Sequence, residues 1–308
     1  MLFQKQRFIL YAFLIILCSS ICGCTETVDF DLGEHKAAIV LNSLLNTDSV
    51  AYARLSWMNK PEAVPQNSYF WFFAEIKDAE VSLYENGNFI EHLTPVEIGD
   101  TTYVSNLYYK GSYALRQGQA YRLVATLLDG QQVAAQGSTP SQPSFSVDSV
   151  TLVNSPSDPG SQEIRIPLHL DDPAGERNYY RIRLITAYPN RWFGPITWIG
   201  PGKQETTSLF ADEFRPQLFI DDELFDGQSV ELIIRCENLN GSDRRLEVTA
   251  LTQESYRYLS SKAYAQELAD DFLSEPVPVF SNVTGGLGFV GGVAVGEQAI
   301  EVDRTGAP

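Results

Sequence analysis

Cysteine is scarce in this chain and badly placed for cross-linking: of four, Cys18, Cys22 and Cys24 crowd the N-terminus and only Cys236 lies in the body. An internal disulfide framework is therefore excluded. Histidine is scarcer still. His35, His92 and His169 stand alone, none in a spacing that builds a zinc site, so the sequence indicates no metal and no cofactor. Positive charge is also short, 22 Lys and Arg against 39 Asp and Glu, for a formal net charge of −17. A surface this acidic repels phosphate backbones and argues against nucleic-acid binding. What is present is a folding composition: 12% aromatic, only 20% charged, and 22 glycines in 308 residues, unlike a disordered or collagen-like chain. At this length about three quarters of the unfolded surface can be buried, and the expectation is two domains.

The apolar run Phe8 to Cys18 has 11 residues, too few for the roughly 20 of a spanning helix. Lys5 and Arg7 precede it and small or polar residues follow, so residues 1–23 read as a signal peptide. Ile21-Cys22-Gly23-Cys24 fits a bacterial lipobox. Cys24 is the expected lipidation site because Gly23 precedes it, whereas Cys22 follows the bulky Ile21. The alternative is ordinary secretory cleavage near Ser20, which leaves both cysteines incidental. Lipoprotein processing with diacyl and palmitate chains supplies the more than one chain that stable anchoring needs. Removing Lys5 and Arg7 takes the formal charge from −17 to −19. Residues 24–36 form an acidic tether in which Glu26, Asp29, Asp31 and Glu34 face no base. A solvated spacer is one reading. The other, favoured here, is that the run resembles the surface-export signal of Bacteroidetes lipoproteins.

From Ala37 onward short β-rich runs alternate with turn residues. Ala37–Leu45 and Val50–Trp57 flank Asn46-Thr47-Asp48-Ser49, and Glu80–Tyr84 and Phe89–Leu93 flank Glu85-Asn86-Gly87-Asn88, where Asn-Gly tolerates the positive φ of a hairpin turn. Ala120–Leu128 leads through Asp129-Gly130 into Gln131–Ala135, and Tyr121 resembles the tyrosine corner of immunoglobulin-like sandwiches. The Pro/Ser-rich stretch Ser138–Ser146 is the expected linker. The fold class is thus mainly β: an immunoglobulin-like β-sandwich over 37–140, then a second β-rich domain over 145–302 carrying one helix, 252–272. Thr252 caps that helix, and Tyr256, Ser260, Tyr264, Leu268 and Phe272 form its core-facing stripe, with Leu259 and Ala263 beside them.

Chemical motifs are few. Gly286-Leu287-Gly288-Phe289-Val290-Gly291 spells a dinucleotide fingerprint without the helix and downstream acid that it needs, so the glycines read as close strand packing. Cys236 reads as a core thiol. The acid pairs Asp171/Asp172, Asp221/Asp222 and Asp270/Asp271 arise easily among 39 acids, and Asp171-Asp172-Pro173 suits a turn. Two aromatic clusters remain. In the cluster Tyr69 to Phe73, Phe70 to Phe73 read as core, while Arg191, Trp192, Phe193 and Trp198 sit in the irregular stretch Tyr188–Gly227 and are equally a packed flap or an interface or ligand surface.

Several phrases together resemble one family, the Bacteroidetes outer-membrane lipoproteins grouped as domain of unknown function 4249. They are the lipobox followed by acid, Ile39-Val-Leu-Asn-Ser-Leu-Leu-Asn46, Ala79-Glu-Val-Ser-Leu-Tyr-Glu-Asn-Gly87, Gly118-Gln-Ala-Tyr-Arg-Leu123, Asp172-Pro-Ala-Gly-Glu-Arg-Asn-Tyr-Tyr180 and Phe280-Ser-Asn-Val-Thr-Gly-Gly-Leu-Gly288. The resemblance implies a lipoprotein associated with a TonB-dependent outer-membrane receptor and supplies no catalytic residues. The expectation is a non-enzymatic, lipid-anchored outer-membrane protein facing the cell exterior, helping such a receptor in nutrient binding or uptake. The alternatives are a surface adhesin or structural lipoprotein, then a glycan-active enzyme.

Overall fold

The computed structural model describes residues 38–58, 74–97, 107–154, 162–186, 203–204, 217–237, 244–268, 275 and 277–303. Within them the protein is mainly β and sandwich-like, with a single helix and no closed barrel. Turn chemistry sets the first hairpins. β1 (Ile39–Asn46) alternates strictly between buried and half-buried positions and turns into β2 (Val50–Trp57) through Asp48 at φ 64°. β4 (Glu80–Glu85) and β5 (Asn88–Glu97) are joined by Asn86 at φ 50° and Gly87 at φ 84°, the pair of left-handed residues whose twist matches that of the strands. β3 (Ala74–Glu75) pairs with the end of β2, and β6 (Leu107–Ala114), β7 (Ala120–Thr126) and β8 (Gln132–Ser138) complete this half.

β5 makes two layers out of one continuous path. Its first half lies against β4, from Leu93 opposite Val81 to Asn88 opposite Glu85; its second half lies against β6, from Thr94 opposite Lys110 to Glu97 opposite Leu107. Leu41, Leu45, Ala53, Leu55 and Tyr109 from β1, β2 and β6 then meet Val81, Leu83, Leu123, Ala125 and Val133 from β4, β7 and β8 in a single core. At the head of β7 the Tyr121 hydroxyl accepts a hydrogen bond from the Arg116 amide at 2.7 Å, the arrangement of a tyrosine corner. The same hydroxyl donates to Glu85 Oε1 at 2.7 Å. Glu85 is buried, is ion-paired with Arg116, and accepts from the Tyr113 hydroxyl at 3.2 Å.

This network has a pH consequence. The hydrogen bond from Arg116 holds the Glu85 carboxyl below its ordinary value; burial opposes this, and the Tyr121 hydroxyl adds to the lowering. Burial pushes the Tyr121 phenol up to about 12, so it remains a donor at neutral pH. A lowered folded-state pKa contributes stability that is fully present above the ordinary glutamate value of about 4.3 and is lost as pH falls through the folded value. Glu85→Gln is therefore expected to flatten the acid limb of the stability curve. Urea denaturation at pH 3, 4, 5 and 7 checks this, and an acid limb as steep as in the parent would remove Glu85 as its source.

The second half repeats the architecture. β11 (Gln162–Asp171) lies between β15 (Ser229–Glu237) on one side and β9 (Ser144–Val147) and β10 (Val150–Asn154) on the other, with β18 (Val302–Asp303) beyond β10. The facing layer is β12 (Tyr179–Thr186) with β16 (Arg244–Leu251), and β13 (Lys203–Gln204) and β14 (Leu218–Asp221) flank β12. Ile164, Ile166, Leu168, Leu170 and Ile234 of the first sheet pack on Tyr180, Ile182, Leu246 and Val248 of the second.

The helix differs from its expected form. α1 (Gln253–Glu267) begins at Thr252, whose hydroxyl accepts from the Ser255 amide, and is described as far as its cap at Leu268; Phe272 lies outside the described residues. Tyr264, expected in the core-facing stripe, is 54% exposed. The packed face is turned to Ser255, fully buried with its hydroxyl donating to the Gly292 carbonyl at 2.7 Å, and to Tyr258, which stacks on Phe289 with ring centroids 4.3 Å apart.

β17 (Leu287–Ile300) belongs to both halves. Leu287 to Val293 run parallel to β1, and Val293 to Ile300 run antiparallel to β16. Val290 enters the first core, Ala294 and Ile300 the second. Its glycines are there for close approach: a Cβ on Gly288 would strike the Leu41 carbonyl, and one on Gly291 would lie 2.5 Å from the Phe289 ring. The Gly286 to Gly291 run is thus strand packing, as its context in the sequence suggested.

Candidate functional site

The connections β11–β12 and β14–β15 emerge at the same end of the second sandwich and clasp each other. Asp172, buried at the end of β11, accepts from the Gly227 amide at 2.9 Å and from the Tyr180 hydroxyl at 2.7 Å. Asp222, only 1% exposed, accepts from the Asn178 amide at 2.7 Å. Asp226 accepts from the Gly175 amide at 3.0 Å. Two backbone bonds, Asp172 N to Gln228 O and Asp222 N to Asn178 O, complete the pairing of the loops. Gly175 and Gly227 hold φ of 87° and 71°, and a side chain at Gly227 would press on Ala174. Short Asp side chains and left-handed glycines are what such loop-to-backbone bonds require.

One guanidinium offsets part of the charge within the clasp. Arg177 lies 3.0 Å from Asp221, 3.3 Å from Asp222 and 3.2 Å from Glu223. Burial, with the Asp172 carboxylate beside it, pushes the Tyr180 phenol up and keeps it a donor. One carboxylate oxygen each from Asp172, Asp222 and Asp226 lies within 4.8 Å of the other two, a set of hard oxygens that could hold a divalent cation. Each carboxylate is already engaged by a backbone amide, however, and the clasp accounts for the arrangement on its own. Among the described residues no other group of three His, Cys, Asp or Glu side chains converges in this way. His169 instead pairs with Asp148 at 2.9 Å, a contact that raises its pKa, and His92 lies 3.1 Å from the Ser82 hydroxyl.

Beside the clasp opens a cleft of about 750 Å³. Its walls are the Ser138–Ser144 segment, the loop carrying Glu176 and Arg177, and the start of α1 at Thr252 and Glu254; Tyr179 lies among them. The walls are fixed. Ser144 donates to Asp171 at 3.0 Å, Thr139 Oγ1 donates to the Arg116 carbonyl at 2.5 Å, and the Tyr179 ring packs 4.8 Å from that of Tyr256. Hydroxyls, amides, acids, Arg177 and two tyrosines share the lining with prolines, Ala250 and Leu251, and no histidine or cysteine lines it among the described residues. A second groove of about 570 Å³ on the other side of Glu254 holds Arg122, and Arg257 over the Phe280 ring at 4.3 Å.

Cys24, the acids Glu26, Asp29, Asp31 and Glu34, and the cluster Arg191, Trp192, Phe193 and Trp198 lie outside the described residues, as does Tyr69 to Phe73. Asp171-Asp172-Pro173 is the turn expected. Its partnership with Asp222, Asp226 and Arg177 was missed, although Asp226-Gly227 carries a turn signal of its own. Among the described residues no helix is long and apolar enough to cross a membrane.

The chain matches the family described as domain of unknown function (DUF4249) over residues 25–299 and belongs to it. No curated protein matches the chain.

Proposed function

We propose that this family member is a lipid-anchored, surface-exposed outer-membrane protein that serves a TonB-dependent receptor as a non-catalytic accessory in nutrient binding or uptake. The observation that carries the reading is the lipobox ending at Cys24, with an acidic run behind it and the family match starting at the next residue. The polar cleft beside the Asp172–Asp222 clasp supports a binding role, and the carboxylates of the clasp itself are committed to backbone amides rather than poised for proton transfer. Trp192 and Trp198, with Arg191 and Phe193, are the residues assigned to the receptor contact, since Trp and Arg dominate interface hot spots.

Anchoring is tested first. Cys24→Ala is expected to move the protein from the membrane fraction to the soluble periplasm, while Cys22→Ala leaves it membrane-bound; mass spectrometry of the mature N-terminus identifies the modified residue. Affinity purification of the tagged, lipidated protein from native membranes then tests partnership. Co-purification of a TonB-dependent receptor that weakens with Trp192→Ala supports the reading. An anchored protein that brings down surface polymers and no receptor returns the adhesin alternative.

A further inference from the structure

The sheet edges of this protein are treated unequally. β8 closes one end of the large sheet and is covered: Ala134 exchanges backbone hydrogen bonds with Thr284 at 3.0 and 2.8 Å, and Asn282 donates to the Gln136 carbonyl. β15, nine residues long, closes one end of the other sheet, and among the described residues no strand pairs with its outer side. Three of the usual defences of an edge are missing. Ser229-Val-Glu-Leu-Ile-Ile-Arg-Cys-Glu237 contains no proline and no lysine, and its register with β11 is unbroken, so it carries no bulge.

Which backbone groups face outward follows from Pro167. In the ladder Pro167 stands opposite Ile233, and the Pro167 carbonyl accepts from the Asp148 amide on the far side of β11. The N–H and C=O of one residue in an antiparallel strand point the same way, so the Pro167–Ile233 pair is a non-hydrogen-bonded one. The amide and carbonyl of Ile233 therefore point away from β11, and those of Ser229, Glu231, Arg235 and Glu237 follow by alternation. The Ile233 side chain is 48% exposed on the outer face, while Val230, Leu232 and Ile234 face the core.

This edge is complementary to itself. Read about Ile233, the sequence Glu231-Leu232-Ile233-Ile234-Arg235 places an acid two positions before the centre and a base two positions after it. A second copy laid antiparallel with Ile233 opposite Ile233 sets Glu231 opposite the partner's Arg235, and Leu232 opposite the partner's Ile234. Every outward-pointing residue from Ser229 to Glu237 then falls in a hydrogen-bonded pair. We infer that two copies of this protein associate through β15 about a two-fold axis at Ile233, joining their five-stranded sheets into one. The contact is isologous and closes at a dimer. It does not depend on the lipid anchor or on a receptor.

A charge exchange tests this with the full chain purified in detergent, its mass read by sedimentation velocity after subtraction of the micelle. The parent is expected to be dimeric. Glu231→Arg sets Arg opposite Arg, and Arg235→Glu sets Glu opposite Glu, so each alone is expected to weaken the dimer at least ten-fold. The double variant carrying both restores the pairing and the dimer. Co-occupancy of one micelle would not respond to these exchanges, and unchanged circular dichroism in each variant separates dissociation from unfolding. A parent that is monomeric at tens of micromolar, single variants that remain dimeric, or a double variant that stays monomeric while folded would each overturn the inference.

Discussion

Gly292→Ala is expected to be among the most damaging single-methyl changes this protein can suffer. The added Cβ would run into the Ser138 carbonyl oxygen and lie 2.7 Å from the Ser138 carbonyl carbon and 2.9 Å from the Thr139 Cα, all of them backbone. Gly292 is buried, its carbonyl takes the Ser255 hydroxyl, and its amide meets Thr252 Oγ1 at 3.3 Å. Neither side can yield without displacing β8, β17 or the start of α1. Overpacking a core that can adjust costs about 1–3 kcal/mol, and a clash between backbones belongs at or above the top of that range. Thermal or urea denaturation of the purified variant measures it. Gly87→Ala is the comparison: there the space is open, and only the positive φ is penalised. A loss at Gly292 no larger than that at Gly87 would show that β8 and β17 adjust to the added methyl.

The second large effect concerns the clasp. Asp222→Ala is expected to leave the Asn178 amide without its acceptor, at a cost on the order of 1–3 kcal/mol for a donor shut away from water, and to release the Arg177 side chain from its innermost partner. The two loops should then open together. Hydrogen exchange is expected to speed up over 173–178 and 222–228 at once, while the strands of the first sandwich keep their protection. Asp222→Asn retains an acceptor for Asn178 and should lose much less. Exchange confined to one loop would mean that the other is held independently. Millimolar calcium that raises the melting temperature of the parent, but not that of Asp226→Ala, would instead make the three carboxylates a cation site.

Much of the fold could be read locally, and the difference between what could and could not follows from sequence distance. The Asn86-Gly87 and Asp48 turns are set by residues that accept positive φ, so the hairpins around them were legible. The cap at Thr252 was legible for the same reason. The buried face of α1 was not, because the largest side chains of its pattern, Tyr256 and Tyr264, carry hydroxyls that tolerate water, while a small polar residue, Ser255, fits against the glycines of β17. The pairing of β1 with β17 could not be read from either strand, since Val40 and Leu287 lie at opposite ends of the described chain. The clasp was hidden by abundance. Among 39 acids nothing marks Asp172, Asp222 and Asp226 as partners until two connections from opposite sheets arrive at one place.

The double membership of β17 also fixes an order of events in folding. β1 forms its hairpin with β2 as soon as both are available, a local step that closes a short loop. Its other edge waits for Leu287 to Val293, synthesised long after it, and Val290 must arrive before the first core is complete. Contacts of such long sequence separation are slow to form because most of the chain must be ordered to reach them. The N-terminal sandwich therefore cannot finish ahead of the C-terminal one, as independent domains on a growing chain would. Until β17 docks, the chain keeps an open strand edge and an unfilled core. The docking of β17 is thus the step that closes the β1 edge and fills the first core.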